Sequence, residues 1–500
     1  MQQQCGAVQQ QHTAQHSSSG NSGDMRSPPQ LQQLLLPLLV AGSLLGDGGV
    51  SALDNGLART PPMGFSTWSV FRSAVNESLI RELADAMQAS GLAAAGYDYL
   101  LVDDGWEGKG CADCAPNRDE AGRLVVDPVK FPSGMNATAA YVHARGLKFG
   151  LWFGHSMCAT SNDSTAPLTA AAVEASAELD AEFFAWAGVD HIKHDNCVDV
   201  ANTTAAIAAN YHSFAALGAA MNRTGRPIAY DVVLQVAHQR AVPAYDYGYL
   251  WSPEIYGKEA VQTLANSWWS LPVNKYNCWS CCVNGERIVD DAACTSATGR
   301  ACRRGLLPML DVQDMGTPGF SKGGHWDWGG PGGWNHIDQL AVCVGESWYG
   351  PGFNGAEQAS QVSLWAVLAS PLIVSFDVRS MTAECKALVT NPRVIAVHQD
   401  KAGKPGKRLK NILNSTDGSI SAQVWGRPLA GGRVAAVFFN RGEVQQSISA
   451  TFEELGLAAT VKRVKAVDVW TGVVTQAVAT PFEARGVPPH AAKFVTLDPM

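Results

Sequence analysis

The chain has 500 residues, too many for a single core, so one large and one smaller domain are expected. Its 46% hydrophobic content and 49 glycines are those of a globular protein and exclude a wholly disordered one. A formal net charge of −8 argues against a nucleic-acid binder, which needs clustered Lys and Arg.

Residues 1–52 form two stretches. Residues 1–24 are rich in Gln, Ser and Gly and are expected to be disordered. Met25-Arg26, the apolar run Leu31–Leu45 and the small residues Val50-Ser51-Ala52 then have the layout of a secretory signal peptide. Pro37 interrupts that run, which is also short for a membrane span. Met25 is therefore the expected start and Ala52 the last residue removed, with no membrane anchor afterwards. Six N-x-S/T sites, at Asn76, Asn136, Asn162, Asn202, Asn222 and Asn414, fit the same route. Of twelve Cys, five fall between Cys278 and Cys302. The Cys278-x-x-Cys281 spacing also admits zinc, but in an exported chain it favours disulfides.

From Pro61 onward, short β-type runs alternate with helical patterns. The runs are Met63–Trp68, Tyr97–Trp106, Lys148–Gly154, Val189–Asn196, Pro227–Val233, Trp334–Val342 and Pro371–Asp377, with Asn266–Val273 less regular. Helical spacing marks Glu77–Ser90, Ala137–Arg145, Thr169–Ala187, Asn202–Met221 and Ala356–Leu368. Eight strands alternating with helices suit a (β/α)8 TIM barrel over 53–403, although the pattern alone also fits a doubly wound sheet. Past Gly403, Pro405 and Gly406, short alternating strands predict an antiparallel β-sandwich over 404–500.

Polar residues stand at the C-terminal ends of these strands, where barrel enzymes build their sites. The first ends in Trp68, the second in Asp103-Asp104, the third in Trp152 and the fourth in Lys193-His194-Asp195. One acidic pair caps a helix as readily as it binds a ligand. Four strand ends supplying two Trp, a Lys and three Asp are harder to explain by capping. Indole stacks on apolar sugar faces, and the 15 Trp agree with a carbohydrate handler. Retaining glycoside hydrolysis uses such groups: one carboxylate attacks the anomeric carbon and one carboxylic acid protonates the leaving oxygen. Asp103 and Asp104 would accept hydrogen bonds from sugar hydroxyls, and Lys193, on the same strand face as Asp195, would be its counter-cation. Trp68 and Trp152 would wall the pocket.

The ordered segments Leu53–Leu57, Pro61–Gly64, Leu101–Asp104, Asp127–Gly134, Tyr141–His143, Lys193–Cys197, Gly330–Asn335, Ser370–Leu372 and Gln399–Lys401 resemble glycoside hydrolase family 27, the α-galactosidase (melibiase) family. That resemblance spans Leu53 to the C-terminus. It implies a barrel plus a C-terminal β-domain, and hydrolysis of terminal α-D-galactosyl residues from oligosaccharides or glycoconjugates with retention. It also implies no metal, and no other cofactor is expected. The net charge argues against a nucleic-acid partner, and the leader and N-x-S/T sites predict the secretory pathway, with the cell exterior, the wall, or the vacuole or lysosome as destination. Residue by residue, it puts the nucleophile on Asp195, sugar contacts on Trp68, Asp103, Asp104, Lys193 and Asp338, and a pocket-side disulfide on Cys158 and Cys197.

The chain departs from the family at several positions. The family's W-N-D-P-D motif reads Trp334-Asn-His-Ile-Asp338, and its third-strand Tyr is Trp152. The fifth-strand S-L-C-E-W segment, which reads the sugar 2-position, is Asp231-Val-Val-Leu-Gln235 and lacks the Glu. A glycosidase for another sugar, an α-N-acetylgalactosaminide or a β-L-arabinopyranoside, therefore stays open. In the sixth strand, N-S-W-R-x-x-x-D carries the family's acid/base Asp; here Trp269 replaces the Arg and Val273 the Asp. A Cys-rich insertion, 277–303, follows with Glu286, Asp290 and Asp291, and Arg287 to Asp291 repeats the R-x-x-x-D spacing. Either the insertion supplies the acid, with Asp291 first in line, or the chain binds sugar without turning it over, or this stretch is misread. A solvated turn is the plain alternative for Asp290-Asp291. His155, His194, His325 and His336 lack the spacing of a metal pair and read as pocket or core polar groups.

Overall fold

The computed structural model describes residues 55–107, 118–155, 169–196, 204–233, 258–269, 281–284, 287–290, 306–314, 328–345 and 352–500. The expected leader, Cys158, Cys197, Val273 and Asp291 lie outside the described residues. Eight parallel strands make one sheet: β1 (Met63–Ser66), β2 (Tyr99–Val102), β3 (Lys148–His155), β4 (His191–Asn196), β5 (Ala229–Val233), β6 (Ser267–Trp269), β9 (Trp334–His336) and β10 (Leu372–Val374). Between β6 and β9 the insertion contributes a hairpin, β7 (Cys281–Asn284) antiparallel to β8 (Arg287–Asp290). The spatial order is β10-β1-β2-β3-β4-β5-β6-β9. The chain beyond β9 closes the ring: Leu340 bridges Val374 in parallel, and its N–H donates to the Ile373 carbonyl at 2.8 Å. The parallel, helix-alternating ring is the TIM barrel expected from the sequence.

Alternation along each strand separates two apolar layers. Phe65, Leu100, Phe149, Ile192, Val232 and Trp268 face outward into the core beneath the helices, whereas Tyr99, Leu101 and Ile373 pack together as a separate cluster. Gly150 fits β3 closely: a Cβ there would lie 2.4 Å from the end of the Leu101 side chain and 3.2 Å from the His191 carbonyl, so a larger residue must displace Leu101. The helices end where their sequences say they should. Asn76 caps Glu77–Ser90 by accepting the Leu79 N–H, and Gly91 terminates that helix in the left-handed region. Thr169 and Gly188 do the same for Ala170–Ala187. The expected strands run past the observed ladder at both β1 and β2. Trp68 already belongs to the short helix Trp68–Phe71, and β2 stops before Gly105, whose φ of 102° leaves the extended region.

The C-terminal part has β11 (Lys407–Leu413), β12 (Ile420–Pro428), β13 (Val434–Asn440), β14 (Gln446–Ala450), β15 (Arg463–Asp468), β16 (Val474–Ala479), β17 (Phe482–Val487) and β18 (Ala492–Pro499). Six form an antiparallel sheet in the order β11-β12-β13-β18-β15-β16, and β14 pairs with β17. Val424, Phe438, Ile448, Phe452, Phe482 and Leu497 fill one core of this β-sandwich. Trp425, Val437, Phe439 and Phe494, from alternate positions of the large sheet, instead join the core of the barrel. The helix Gly355–Leu368 carries a capping box from Asn354 and Glu357 and packs against both the helix Pro392–His398 and the sheet. Arg427 of β12 crosses this junction and donates to the carbonyls of Ala366, Val397, His398 and Lys404 at 2.7–3.0 Å. Burial lowers its guanidinium to about 10. A disulfide joins Cys343, in the segment after β9, to Cys385 in the helix Ala383–Val389.

Candidate active site

Because β2, β3 and β4 are neighbours in register, their inward residues meet at the C-terminal end of the ring. The Thr67 hydroxyl accepts the Asp103 N–H at 2.9 Å. Lys193 Nζ donates to Asp103 Oδ2 at 3.0 Å and lies 3.7 Å from Asp195 Oδ2. The Trp152 indole donates to the same Asp195 oxygen at 3.2 Å, and the Trp106 indole fastens the Trp152 carbonyl at 2.8 Å. Asp104 donates its N–H to Asp103 Oδ1 at 3.0 Å. Burial alone would lower the Lys193 ammonium. The Asp103 and Asp195 carboxylates outweigh it and hold the ammonium well above the usual lysine range, so it stays charged. The Asp195 side chain keeps 24% of its exposure, against 10% for Lys193 and 4% for Asp103, and is the most open of the three charged groups.

A second polar cluster lines the adjoining strands. Asp231 on β5 is 2% exposed. Its carboxylate accepts the Ser267 hydroxyl at 2.7 Å, the Trp269 indole N–H at 2.8 Å and His336 Nδ1 at 3.1 Å. Burial would raise this carboxyl; His336, together with His191 and the Trp269 N–H, holds it well below the usual carboxylate range. Register explains the meeting, since β6 pairs with β5 on one side and β9 on the other, opposing Trp269 to His336. Their rings lie 4.2 Å apart between centroids, and Lys193 Nζ stands 5.0 Å over the Trp269 ring. His191 faces the same charges, and burial lowers it to about 4.

Of the residues expected from the sequence, Asp103, Asp104, Trp152, Lys193 and Asp195 form one bonded group. Trp68 follows β1 and Asp338 follows β9, at the same end of the ring. Asp338 is a buried non-glycine residue with φ of 123°, a conformation that costs of order 1–3 kcal/mol and clusters at functional sites. Its side chain accepts the Gln339 N–H at 2.6 Å, and its carbonyl accepts the Trp365 indole at 2.9 Å. His194 is a core group, its Nδ1 2.6 Å from the Tyr230 hydroxyl. Sequence reading recorded Asp231, Trp269 and His336 only as departures or polar filler and missed that they are bonded together. The one hint is that three departures fall on strands five, six and seven of the ring, which are consecutive neighbours, but the register that joins them is not written in the sequence. It also missed Glu107, three residues past Asp104, whose carboxyl is pushed up to about 8 by burial and by the Asp104 charge.

The model of the family described as alpha galactosidase A matches residues 60–278 and 324–400, and that of its C-terminal beta sandwich domain matches 419–497. The gap between the two barrel matches contains nearly all of the Cys-rich insertion. An α-galactosidase of Cyamopsis tetragonoloba is 31% identical over 450 residues, covering 89% of this chain and 88% of that protein. Alpha-galactosidase A of Homo sapiens is 32% identical over 409 residues, 79% of this chain and 77% of its own. Among solved structures, alpha-galactosidase I from Mortierella vinacea superposes with a TM-score of 0.67 at 25% identity, over 89% of this chain and 99% of that one.

Proposed function

Because this chain belongs to the α-galactosidase A (melibiase) family, glycoside hydrolase family 27, we propose that its barrel removes terminal α-D-galactosyl residues from oligosaccharides or glycoconjugates by double displacement. The observation that carries this reading is the partly open Asp195 carboxylate at the end of β4, 3.7 Å from the Lys193 ammonium and bonded to the Trp152 indole. Asp195 attacks the anomeric carbon and the glycosidic C–O bond breaks, leaving a covalent glycosyl-enzyme. An acid protonates the departing oxygen; the same group then takes a proton from water as the ester is hydrolysed. Asp103, Asp104, Lys193 and Asp338 bind the sugar hydroxyls, and Trp68 and Trp152 wall the ring. The disulfide that the family resemblance implies between Cys158 and Cys197 belongs to the same reading, and both residues lie outside the described ones.

The valine at position 273 cannot transfer a proton, so the acid comes from elsewhere. Asp291 of the insertion is the first choice on its R-x-x-x-D spacing. One observation favours a second, Glu107, whose carboxyl is held near 8, protonated at acidic and neutral pH and close enough to feel the Asp104 charge. The chain is exported through a signal peptide ending at Ala52 and acts outside the cell, in the wall, or in the vacuole or lysosome. No helix among the described residues is long and apolar enough to cross a membrane.

Hydrolysis of p-nitrophenyl α-galactoside across acidic pH, by the chain expressed from Leu53 beside Asp195→Asn, tests the reading. Turnover abolished by the substitution supports it; equal turnover removes Asp195 from the reaction. The lost fifth-strand Glu makes α-N-acetylgalactosaminide and β-L-arabinopyranoside the substrates to run in parallel. Sugar binding with no turnover on any of them would mark a lectin-like homologue instead.

A further inference from the structure

The cluster on β5, β6 and β9 lies outside the sugar-binding set described above, yet one ring connects it to the catalytic end. Asp231 presents both carboxylate oxygens to three donors, so the Trp269 indole N–H has a charged, immobile acceptor at 2.8 Å. His336 closes the triangle from the other side, bonded to Asp231 and tilted against the Trp269 ring at 4.2 Å. A buried carboxylate is costly to keep and is retained only where its partners compensate it. Filling space on β6 needs an apolar side chain but no buried charge to hold its N–H. What the triangle delivers is a fixed indole face 5.0 Å from the Lys193 ammonium.

Lys193 is the hinge of the site. It is a point charge on a flexible stem, 3.0 Å from Asp103 and 3.7 Å from Asp195. How that charge divides between the two carboxylates depends on what holds it from a third direction, and a desolvated indole face attracts an ammonium. We propose that Asp231 and His336 are positioning residues, which seat Trp269 against Lys193 and thereby set how the ammonium is shared between Asp103 and Asp195. The inference rests on the reading of Asp195 as nucleophile.

The test is a double-mutant cycle in the full chain, read as kcat and KM on an aryl α-galactoside with a good leaving group. Thermal midpoints confirm that each variant is folded. Trp269→Leu, which removes the ring, is expected to lower kcat about tenfold or more while KM moves by less than about threefold. Trp269→Phe, which keeps an aromatic face but loses the indole N–H that Asp231 holds, recovers only part of that loss. Asp231→Asn falls between the two. On a Lys193→Met background, Trp269→Leu costs less than about twofold, because the residue it acts through is gone. A folded Trp269→Leu with parental kcat, or an equal loss with and without Lys193, overturns the proposal. Parental turnover in Asp195→Asn would instead remove the nucleophile reading, and that result is separate from the Trp269–Lys193 coupling.

Discussion

Asp180, on the helix Ala170–Ala187, holds Arg118 in a bidentate pair at 2.7 and 2.8 Å, with both side chains no more than 4% exposed. Burial pushes the Asp180 carboxyl up in spite of the Arg118 charge beside it, so forming the pair barely offsets the cost of burying it. Breaking it is a different matter. Asp180→Ala takes the bidentate carboxylate away from a buried guanidinium, which keeps its bond to the Gly122 carbonyl at 2.8 Å, and breaking a buried pair in this way costs about 3–5 kcal/mol. Replacing both partners, as Arg118→Met with Asp180→Leu, removes the charge altogether and is expected to lie within about 1 kcal/mol of the parent. Urea midpoints of the parent, the single variant and the double variant measure the difference. If the double variant is as unstable as Asp180→Ala, the pair is a net source of stability and the reasoning from its burial is wrong.

The acid/base can be identified chemically, because removing it spares substrates with good leaving groups and lets azide replace water. Whichever of Asp291→Ala and Glu107→Gln restores turnover with azide, and forms a galactosyl azide, marks the residue; rescue of neither excludes both. His490 bonds Glu357 and Glu443 at 2.7 and 2.9 Å, and Glu357 first, then Glu443, raise it above the ordinary histidine value. A raised histidine stabilises fully below the unfolded value of about 6.5 and loses that contribution as pH rises through the folded value. Glu443 is solvent-exposed and adds little, so His490→Gln is expected to cost about 1 kcal/mol at pH 5 and close to nothing at pH 9. Equal thermal losses at both pH values would refute this. The Cys343–Cys385 bond closes a loop with a sequence separation of 42, worth about 4 kcal/mol in chain entropy. Cys385→Ala should lower the thermal midpoint accordingly, and no change would show that the loop is already ordered without it.

The barrel was legible because its strands are apolar on the face beneath the helices and its helices carry their own caps, as at Asn76 and Gly91 or Thr169 and Gly188. In the C-terminal part, β12 and β13 could be read as short apolar runs, since cores on both faces bury them, whereas β11 and β16 could not. Their residues are mostly exposed or half-exposed and form the two edges of the sheet, where no buried face imposes a period of two. Lys193 and Asp195 were legible as a pair because they lie two apart on one strand. The Asp231–Trp269–His336 triangle was not, because its members come from three strands, with 38 residues from Asp231 to Trp269 and 105 to His336, and register alone unites them. Cys343 and Cys385 carry no local spacing signal either; only the closure of the ring beyond β9 brings their segments side by side.

Arg427 has a consequence for how this molecule can be divided. Its guanidinium satisfies carbonyls at the ends of two barrel helices and one in the connecting segment, while Trp425 beside it sits in the barrel's own apolar core. A cut at the junction would strip donors from Ala366, Val397 and His398 and uncover the helix Gly355–Leu368 along the flank it shares with the sheet. The two halves are therefore one inheritance. A chimera that borrows its β-sandwich from a relative must bring an arginine to that spot, or the graft will weaken the barrel that houses the chemistry.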